Sequence, residues 1–209
     1  MIEWNRIILF GRDAGTLKLT QLQPGQRFLE LFAADVERIS AADKAHGRRG
    51  DHKRILRRFE HGLRYFAVEE DRGLIAWFWV AHGVPRYFDE MAWRLPLDKR
   101  HVWGRDAYVA PDRRGHRILA AIMDHASAAE DTPMQFLSDV SSINVPSRRA
   151  HKALGFSELG TVTSLAIGSR LLFRSLPPEF LPAPTGIRPQ ERVLWMTKEE
   201  REWHKAQIA

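Results

Sequence analysis

The segment Val109–Ile118, with the sequence VAPDRRGHRI, carries more structural information than any other part of this 209-residue chain. It continues a run of β-type residues from His101, stops at Pro111 and passes through a turn rich in arginine and glycine into a predicted helix. Backbone N–H groups that point out of such a turn, with the positive end of a helix behind them, form an anion site suited to phosphate. Three arginines reinforce this site: Arg113, Arg114 and Arg117.

A second informative segment, Asn144–Phe156 (NVPSRRAHKALGF), opens the helix after the next predicted strand. Asn144, Ser147 and His151 are three and four residues apart, so they share one helical face. Asn144 is suited to cap this helix and Gly155 to end it. Either segment alone could simply consist of turns and helix caps without a functional role. Their order and separation make the pair specific.

The remaining sequence patterns predict one mixed α/β sheet with flanking helices. Apolar residues at three- and four-residue spacing predict a helix from Phe28 to Ile39, and two β-type runs joined by a short link ending in Gly73 predict a hairpin. The predicted strands are 7–10, 16–22, 63–69, 74–82, 101–110, 134–140, 158–167 and 170–176, with a turn at 11–15. The further predicted helices are 50–62, 119–129 and 146–154.

Residues 177–209 differ in composition from the rest of the chain. Five prolines fall between Pro177 and Pro189, which is typical of an extended tail. Thr197 followed by Glu200 forms a capping box that predicts a short terminal helix. We therefore expect a single domain over 1–176 and a proline-rich tail over 177–209.

The composition excludes several classes of protein. Apolar residues make up 44% of the chain and charged residues 28%, proportions of a packed globule rather than a disordered chain. The absence of cysteine excludes thiolate catalysis, disulfides and cysteine-based metal centres, and the nine histidines show no metal-binding spacing. No stretch approaches the roughly 20 apolar residues of a membrane span, so we expect a cytoplasmic protein.

The net charge of +6 is concentrated in one segment. Residues 44–64 contain eight basic and two acidic side chains, enough to account for the whole excess. Such a segment could attract phosphates, an acidic protein or nucleic acid, or it could be a solvated helix face. The helix predicted at 50–62 is expected to place Ile55, Leu56 and Phe59 on one face and its arginines on the other.

Together the two segments resemble the GCN5-related N-acetyltransferase (GNAT) superfamily. The acyl-CoA motif of that family is similar to this chain at four positions, Val109, Pro111, Arg114 and Gly115. Its later helix is similar at four more, Asn144, Ser147, Gly155 and Phe156. Arg117 and Leu119 depart from the pattern, because the family has small residues there that let a pyrophosphate approach closely. The resemblance covers about 63–176 and implies a GNAT-like, mostly antiparallel twisted sheet flanked by helices, with splayed central strands.

The resemblance implies an N-acyltransferase that moves an acetyl group from acetyl-CoA to an amine acceptor by direct attack in a ternary complex. The absence of cysteine excludes an enzyme-bound thioester intermediate. By resemblance, a backbone N–H of the strand that ends at Val109 polarises the thioester carbonyl. The residues implied to bind the cofactor are Tyr108, Val109, Ala110, Arg113, Arg114, Gly115, His116, Arg117, Ile118, Leu119, Asn144, Ser147 and His151.

Acetylation of an amine also needs a base that removes the ammonium proton. Asp106 is the first candidate and Glu69 the second, although each could equally be a turn or surface carboxylate. Further candidates are Glu70, Asp89 and Glu90. The resemblance places His151 where the family commonly has a tyrosine that protonates the departing thiolate. Histidine side chains titrate near neutral pH and so suit a general acid, and packing or capping is the alternative role.

Several alternatives stay open. The donor could be an acyl carrier protein or a long-chain acyl-CoA, since carrier proteins are acidic and residues 44–64 are basic. Residues 44–64 could instead bind nucleic acid on a fold without catalytic activity, although no RNA- or DNA-binding signature accompanies the charge. The sequence leaves the amine acceptor undetermined. The tail, with Trp195 and Trp203, could clasp its own core or a partner in a homodimer.

Overall fold

The computed structural model describes residues 2–13, 20–71, 73–83, 85–88, 93–95, 97–130, 134–168, 170–175 and 190–191. These residues form two compact units. Unit 1 contains the described residues within 1–12, 84–98 and 137–204, and unit 2 contains those within 13–83 and 99–136. The terminal helix predicted from Thr197 lies outside the described residues.

The strands are, in chain order, β1 (Ile2–Asp13), β2 (Gln26–Leu31), β3 (Leu63–Glu70), β4 (Gly73–His82), β5 (Arg86–Phe88), β6 (Trp93–Leu95), β7 (His101–Val109), β8 (Gln135–Ser141), β9 (Ser157–Ile167), β10 (Arg170–Ser175) and β11 (Gln190–Glu191). The helices are α1 (Val36–Ala45), α2 (His52–Glu60), α3 (Ile118–Ala128) and α4 (Val145–Ala153), with 3-10 turns at Ala33–Asp35 and Pro111–Arg113. In the described part of the chain, no helix combines the length and apolar character needed to span a membrane.

Unit 2 is built on an antiparallel sheet in the order β2-β3-β4-β7. The inner strands β3 and β4 are buried on both faces, so helices must cover both. Phe59 of α2 contacts Trp79 on one face, with ring centroids 4.9 Å apart. On the other face His125 of α3 stacks on Phe28, with centroids 5.3 Å apart. The successive side chains of each strand therefore meet different helices.

Unit 1 contains a second run of strands in the order β11-β10-β9-β1-β8. Strand β1 pairs antiparallel with β9 over nearly its whole length. The turn predicted at 11–15 is therefore wrong for Gly11, Arg12 and Asp13, which belong to β1. A Cβ at Gly11 would lie 2.7 Å from the Leu159 side chain, so this glycine makes room for packing within a strand.

Most of the other predicted elements are confirmed. The β3–β4 hairpin, strands β7 to β10 and helices α2, α3 and α4 match the predictions to within one or two residues. The helix predicted from Phe28 to Ile39 is wrong in its first part, because β2 pairs there with β3 and α1 begins only at Val36. The strand predicted at 16–22 lies largely outside the described residues. The boundary between a domain and a tail over 177–209 stays a prediction, and β11, the described part of that tail, pairs with β10.

Helix α2 turns one of its arginines inward. Ile55 is buried as predicted, but Leu56 is 37% exposed and Arg58 only 2% exposed. The expectation that the arginines of α2 lie on its outer face is therefore wrong for Arg58. The guanidinium carbon of Arg58 lies 5.1 Å from the ring centroid of Trp79. This cation–π contact brings a positive charge onto the sheet beside β7.

Candidate active site

Two local features position α2 so that Arg54 and Arg58 point toward β7. The side chain of Asp51 accepts hydrogen bonds from backbone N–H groups of the first turn of α2, including that of Arg54, and so begins the helix as an N-cap. The link before Asp51 packs closely on α1, because a Cβ at Gly50 would lie 2.4 Å from the carbonyl oxygen of Ser40. Arg54 and Arg58 are about one helical turn apart, so both reach the same point on β7.

That point is Asp106, which occupies a bulge in β7. One residue of β4, Phe78, faces both Asp106 and Ala107. Asp106 has a φ of +48°, a conformation in which Asp and Asn are among the commoner side chains. One oxygen of its carboxylate, Oδ2, accepts hydrogen bonds of 2.6 Å from Arg54 and Arg58. The bulge thus aims the carboxylate at α2.

The charges around Asp106 make it a weak proton acceptor. Burial raises the pKa of this carboxyl, but the neighbouring guanidinium groups of Arg58 and Arg54 outweigh burial and hold the pKa below its usual range. A carboxylate that stays ionised orients two arginines well, yet it takes up a proton less readily than an ordinary aspartate. The structure therefore places Asp106 in an ion-pair network on β7 itself, the strand that ends at Val109.

A polar pocket surrounds this network in unit 2, and we name it the arginine pocket. It is lined by Asp43, Arg48, Arg54, Ile55, Arg58, Trp77, Trp79 and Asp106. Asp43 is 8% exposed, and burial raises the pKa of its carboxyl although the neighbouring arginines oppose that shift. The Nε of Arg48 lies 3.5 Å from Asp43 Oδ1. The pocket therefore holds two carboxylates whose pKa values are displaced in opposite directions.

Four functional candidates in this pocket are not revealed by the sequence alone: Asp43, Arg48, Arg54 and Arg58. The one available signal is the spacing of Arg54 and Arg58 on either side of Ile55, behind the cap at Asp51. A helix that buries Ile55 must bring at least one neighbouring arginine toward the sheet. Such an arginine needs an anionic partner there.

The end of β7 presents backbone groups on the edge away from β4. The N–H of Ala110 donates to the carbonyl oxygen of Ile75 at 2.8 Å. Because successive residues of an antiparallel strand bond to opposite sides, the N–H of Val109 points away from β4. The ring of Tyr108 stacks on Trp77, with centroids 4.5 Å apart. The N–H of Val109 is therefore one that β4 does not use.

The turn after β7 combines two residues at positive φ with a helix start that no described side chain caps. Gly115 has a φ of +86° and Arg117 a φ of +57°. Arg117 begins α3, and no side chain among the described residues caps that helix, so the N–H groups of its first turn lack helical partners. Residues 114–117 are exposed. The other residues predicted for this segment lie on the same turn and the first turn of α3: His116, Ile118 and Leu119.

Arg113 of this turn is already engaged by carboxylates. Its Nη2 lies 2.6 Å from Glu70 and its Nη1 lies 3.1 Å from Asp112. The hydrogen bond from Arg113 lowers the pKa of the Glu70 carboxyl. Arg114 differs, because its Nε donates to the carbonyl oxygen of Val109 at 3.3 Å while the residue stays exposed. Arg113 therefore anchors the turn to β3, and Arg114 faces outward.

Glu69, the second predicted base, lies near the end of β3 and does not line the arginine pocket. Its carboxylate accepts hydrogen bonds from Arg27 and Arg38. The bond from Arg27 is the main cause of a lowered pKa at Glu69. Asp89 and Glu90 lie outside the described residues. Within the described ranges, no group of three His, Asp or Glu side chains is arranged to hold a metal ion.

The three predicted residues of the second segment lie in unit 1. The side chain of Asn144 accepts a hydrogen bond from the N–H of Ser147 at 3.2 Å, which confirms the predicted N-cap. The Nδ1 of His151 lies 2.8 Å from the carbonyl oxygen of Ser147, and its Nε2 lies 2.9 Å from the hydroxyl of Ser138. Because a carbonyl only accepts, Nδ1 carries a proton. Both ring nitrogens of His151 thus have partners within unit 1.

Similarity to known proteins is found at the level of structure. No family model matches the chain, and no curated protein matches its sequence. A conserved protein of unknown function from Staphylococcus epidermidis ATCC 12228 has a TM-score of 0.52 at 8% identity, over 78% of this chain and 62% of that one. A GCN5-related N-acetyltransferase from Kribbella flavida has a TM-score of 0.48 at 13% identity, over 78% and 59%. The aminoglycoside N-acetyltransferase AAC(6')-Iy, in complex with CoA, has a TM-score of 0.46 at 21% identity, over 66% and 93%.

At these identities the comparisons concern the fold alone. The predicted class, a mixed α/β protein with a mostly antiparallel sheet flanked by helices, is confirmed. The chain spans 52% to 63% of the length of several similar proteins, so what those whole proteins do reaches this chain only as a proposal. The splay of the strands that end near Val109 and Val140 stays a prediction.

Proposed function

We propose that this protein is a GNAT-type N-acyltransferase that transfers an acetyl group from acetyl-CoA to an amine. The course of the chain from β7 into α3 carries this proposal. An N–H at Val109 that β4 does not use is followed by a glycine at positive φ and by a helix start that no described side chain caps. The fold and the motif resemblance support the same class.

The exposed turn suits the phosphate groups of CoA. The positive end of α3 attracts negative charge, and Arg114 and Arg117 add two cations in the same exposed stretch. Arg113 contributes indirectly, because its ion pair with Glu70 anchors the turn. At Arg117, where the family has a small residue, guanidinium donors would replace part of the backbone contact with the pyrophosphate.

The chemistry requires one polarising donor and one proton acceptor. When bound, acetyl-CoA supplies an activated acetyl thioester, and the N–H of Val109 is the donor we propose for its carbonyl oxygen. In the overall transfer the acceptor nitrogen gains a bond to the acetyl carbon and loses one proton, and CoA is released as the free thiol. No oxidant or reductant is needed.

Asp106 and Glu69 stay predictions for the base, and we add Asp43. Arginines hold the pKa of Asp106 and of Glu69 below the usual range, whereas burial raises that of Asp43 in the same pocket as Asp106. Asp43→Asn should lower kcat by at least about 100-fold, the usual contribution of a general base. Asp106→Asn should keep the acidic limb of the pH profile of kcat. If that variant lost the acidic limb, the base would be Asp106. General acid catalysis by His151 stays a prediction.

Acetyl-CoA binding by calorimetry and amine-dependent release of the CoA thiol test the proposed function together. We expect saturable binding, and release that depends on a primary amine from a broad panel. Arg114→Gln combined with Arg117→Gln should weaken binding by about tenfold, because charge-assisted contacts to phosphate are lost. Arg6→Gln, at an exposed position of β1, is the matched control. Absence of both binding and thiol release would contradict the proposal.

An acyl carrier protein is the alternative donor. It is favoured by one observation, since part of the basic segment 44–64 stays exposed, including Lys44, Arg49 and Lys53. Turnover with an acyl carrier protein should fall as salt rises, because salt screens contacts between exposed charges. Salt-independent turnover would exclude that donor. Nucleic-acid binding, a homodimer and a cytoplasmic location stay predictions from the sequence.

A further inference from the structure

The arginine pocket contains more hydrogen-bond donors than acceptors. Each of its three guanidinium groups carries five N–H donors, yet Arg54 and Arg58 share a single oxygen of Asp106. The Nε atoms of Arg54 and Arg58 are buried without a hydrogen-bond partner among the described residues. With both lining aspartates ionised, the three arginines leave the pocket one positive charge in excess. A ligand that brings acceptors and negative charge would complete it.

The excess positive charge of the arginine pocket is partly buried, as Arg58 shows. Its side chain is only 3% exposed, and burial lowers the pKa of its guanidinium while Asp106 opposes that shift. A buried charge is tolerated when it is fully paired and hydrogen-bonded. Arg58 instead shares its carboxylate partner with Arg54. An anionic group that entered the pocket would therefore meet an arginine whose pairing is incomplete.

We infer that the acceptor is a small amine that bears a carboxylate, such as a free amino acid, and that this carboxylate binds Arg48, Arg54 and Arg58. The inference rests on the proposed function, because it assigns the acceptor of that reaction. A carboxylate is planar and offers two oxygens in the fork geometry of a guanidinium. Its single charge matches the single positive excess. A phosphate dianion would in addition face the carboxylates of Asp43 and Asp106.

The lining of the arginine pocket and its place on β7 fit such an acceptor. Trp77 and Trp79 line the pocket beside the arginines. Asp106 precedes Val109 by three residues of β7, at most about 10 Å because the bulge at Asp106 shortens the strand. The carboxylate site and the proposed thioester donor therefore lie along one strand.

The test compares amino acids with their amides as acceptors, with acetyl-CoA as the donor. The panel is alanine, leucine and phenylalanine, each paired with its amide. We expect kcat/KM for at least one acid to exceed that of its amide by at least about tenfold, since a charge-assisted contact is lost in the amide. The amine of an amino acid amide is less basic than that of the acid, so more of it is unprotonated and able to react. This difference alone would favour the amide, so it cannot explain faster turnover of the acid. Equal or faster turnover of every amide would overturn the inference.

Two pocket variants and one control locate the effect. Arg48→Met and Arg54→Met should bring the ratio of acid to amide toward one. Arg57→Met should keep the wild-type ratio, because Arg57 lies on the same helix, is exposed and does not line the pocket. A wild-type ratio in both pocket variants would overturn the assignment. Phosphoethanolamine tests the phosphate, and its preference over the amino acids would also overturn a carboxylate site.

A binding measurement separates failure of this inference from failure of the proposed function. N-acetylleucine and N-acetylleucinamide are titrated into the wild-type protein by calorimetry without CoA. The acid should bind at least about tenfold more tightly. Preference for the acid in a protein that does not bind acetyl-CoA would refute only the proposed function. Turnover of neutral amines without any preference for the acid would refute only the inference, and absence of all binding and turnover would refute both.

Discussion

Replacing Asp106 by Asn removes the charge on which Arg54 and Arg58 depend while keeping the backbone unstrained. Asn tolerates the φ of +48° at this position, and it retains an oxygen that can accept a hydrogen bond. Loss of one partner of a buried ion pair costs about 3–5 kcal/mol. The side chain of Arg58 is 3% exposed but that of Asp106 is 31% exposed. Solvent screening should therefore reduce the loss to about 2–3 kcal/mol.

Urea unfolding followed by far-UV circular dichroism measures this loss. The midpoint should fall with an unchanged m-value, and Asp106→Ala should lose about 1 kcal/mol more, because alanine is strained at positive φ. In a double-mutant cycle with Arg58→Met, the coupling between positions 58 and 106 should exceed about 1 kcal/mol. A loss below about 0.5 kcal/mol in Asp106→Asn, the range of ordinary surface substitutions, would refute the reasoning.

Three further changes test other parts of the structure. Gly115→Ala should weaken acetyl-CoA binding at least about fivefold, measured by calorimetry, because alanine is strained at positive φ in this turn. Gly25→Ala is the control, since Gly25 has a similar φ of +85° and equally open space, and it should bind acetyl-CoA like wild type. Equal affinities of the two variants would contradict a role for the turn. The pKa of the Glu69 carboxyl is held below its ordinary value of 4.5. Its ionised form therefore stabilises the folded state at pH values above 4.5, and this contribution is lost as the pH falls through the lowered pKa. Arg38→Leu should therefore be less stable than wild type at about pH 7, and the difference in thermal midpoint should shrink as the pH falls below 4.5. A difference that does not change with pH would contradict this. His151→Phe should lower the free energy of unfolding by about 1–2 kcal/mol through lost hydrogen bonds, measured by urea unfolding. If His151 is the predicted general acid, the variant should also lose the basic limb of the pH profile of kcat, and an unchanged basic limb would contradict that role.

The elements that the sequence predicts well have strong local signals. The β3–β4 hairpin has long β-type runs and a short link ending in Gly73, and α4 has a capping Asn144 and an ending Gly155. Strand β2 is only six residues long, too short to separate a period of two from one of 3.6 residues. Phe28 therefore resembles the first apolar residue of a helix, although pairing with β3 makes it part of a strand.

One part of the candidate site can be predicted from the sequence and another part cannot. The turn around Gly115 is readable, because a strand, a proline, a glycine and a helix follow one another along the chain. The arginine pocket is not readable, because Asp43, Arg58 and Asp106 come from three separate elements and meet only through tertiary packing. Neither the positive φ of Asp106 nor the inward direction of Arg58 has a local sequence signature. The prediction that the arginines of α2 face solvent is wrong for Arg58 for the same reason.

Hydrogen exchange with and without acetyl-CoA tests the central claim most directly, because it locates the bound molecule on the chain. With saturating acetyl-CoA, peptides that cover residues 108–119 should exchange more slowly, since backbone N–H groups of the turn and of the start of α3 would bind phosphate. Peptides of β2, at residues 26–31, should not change. Unchanged exchange over 108–119 under saturating acetyl-CoA would contradict the account.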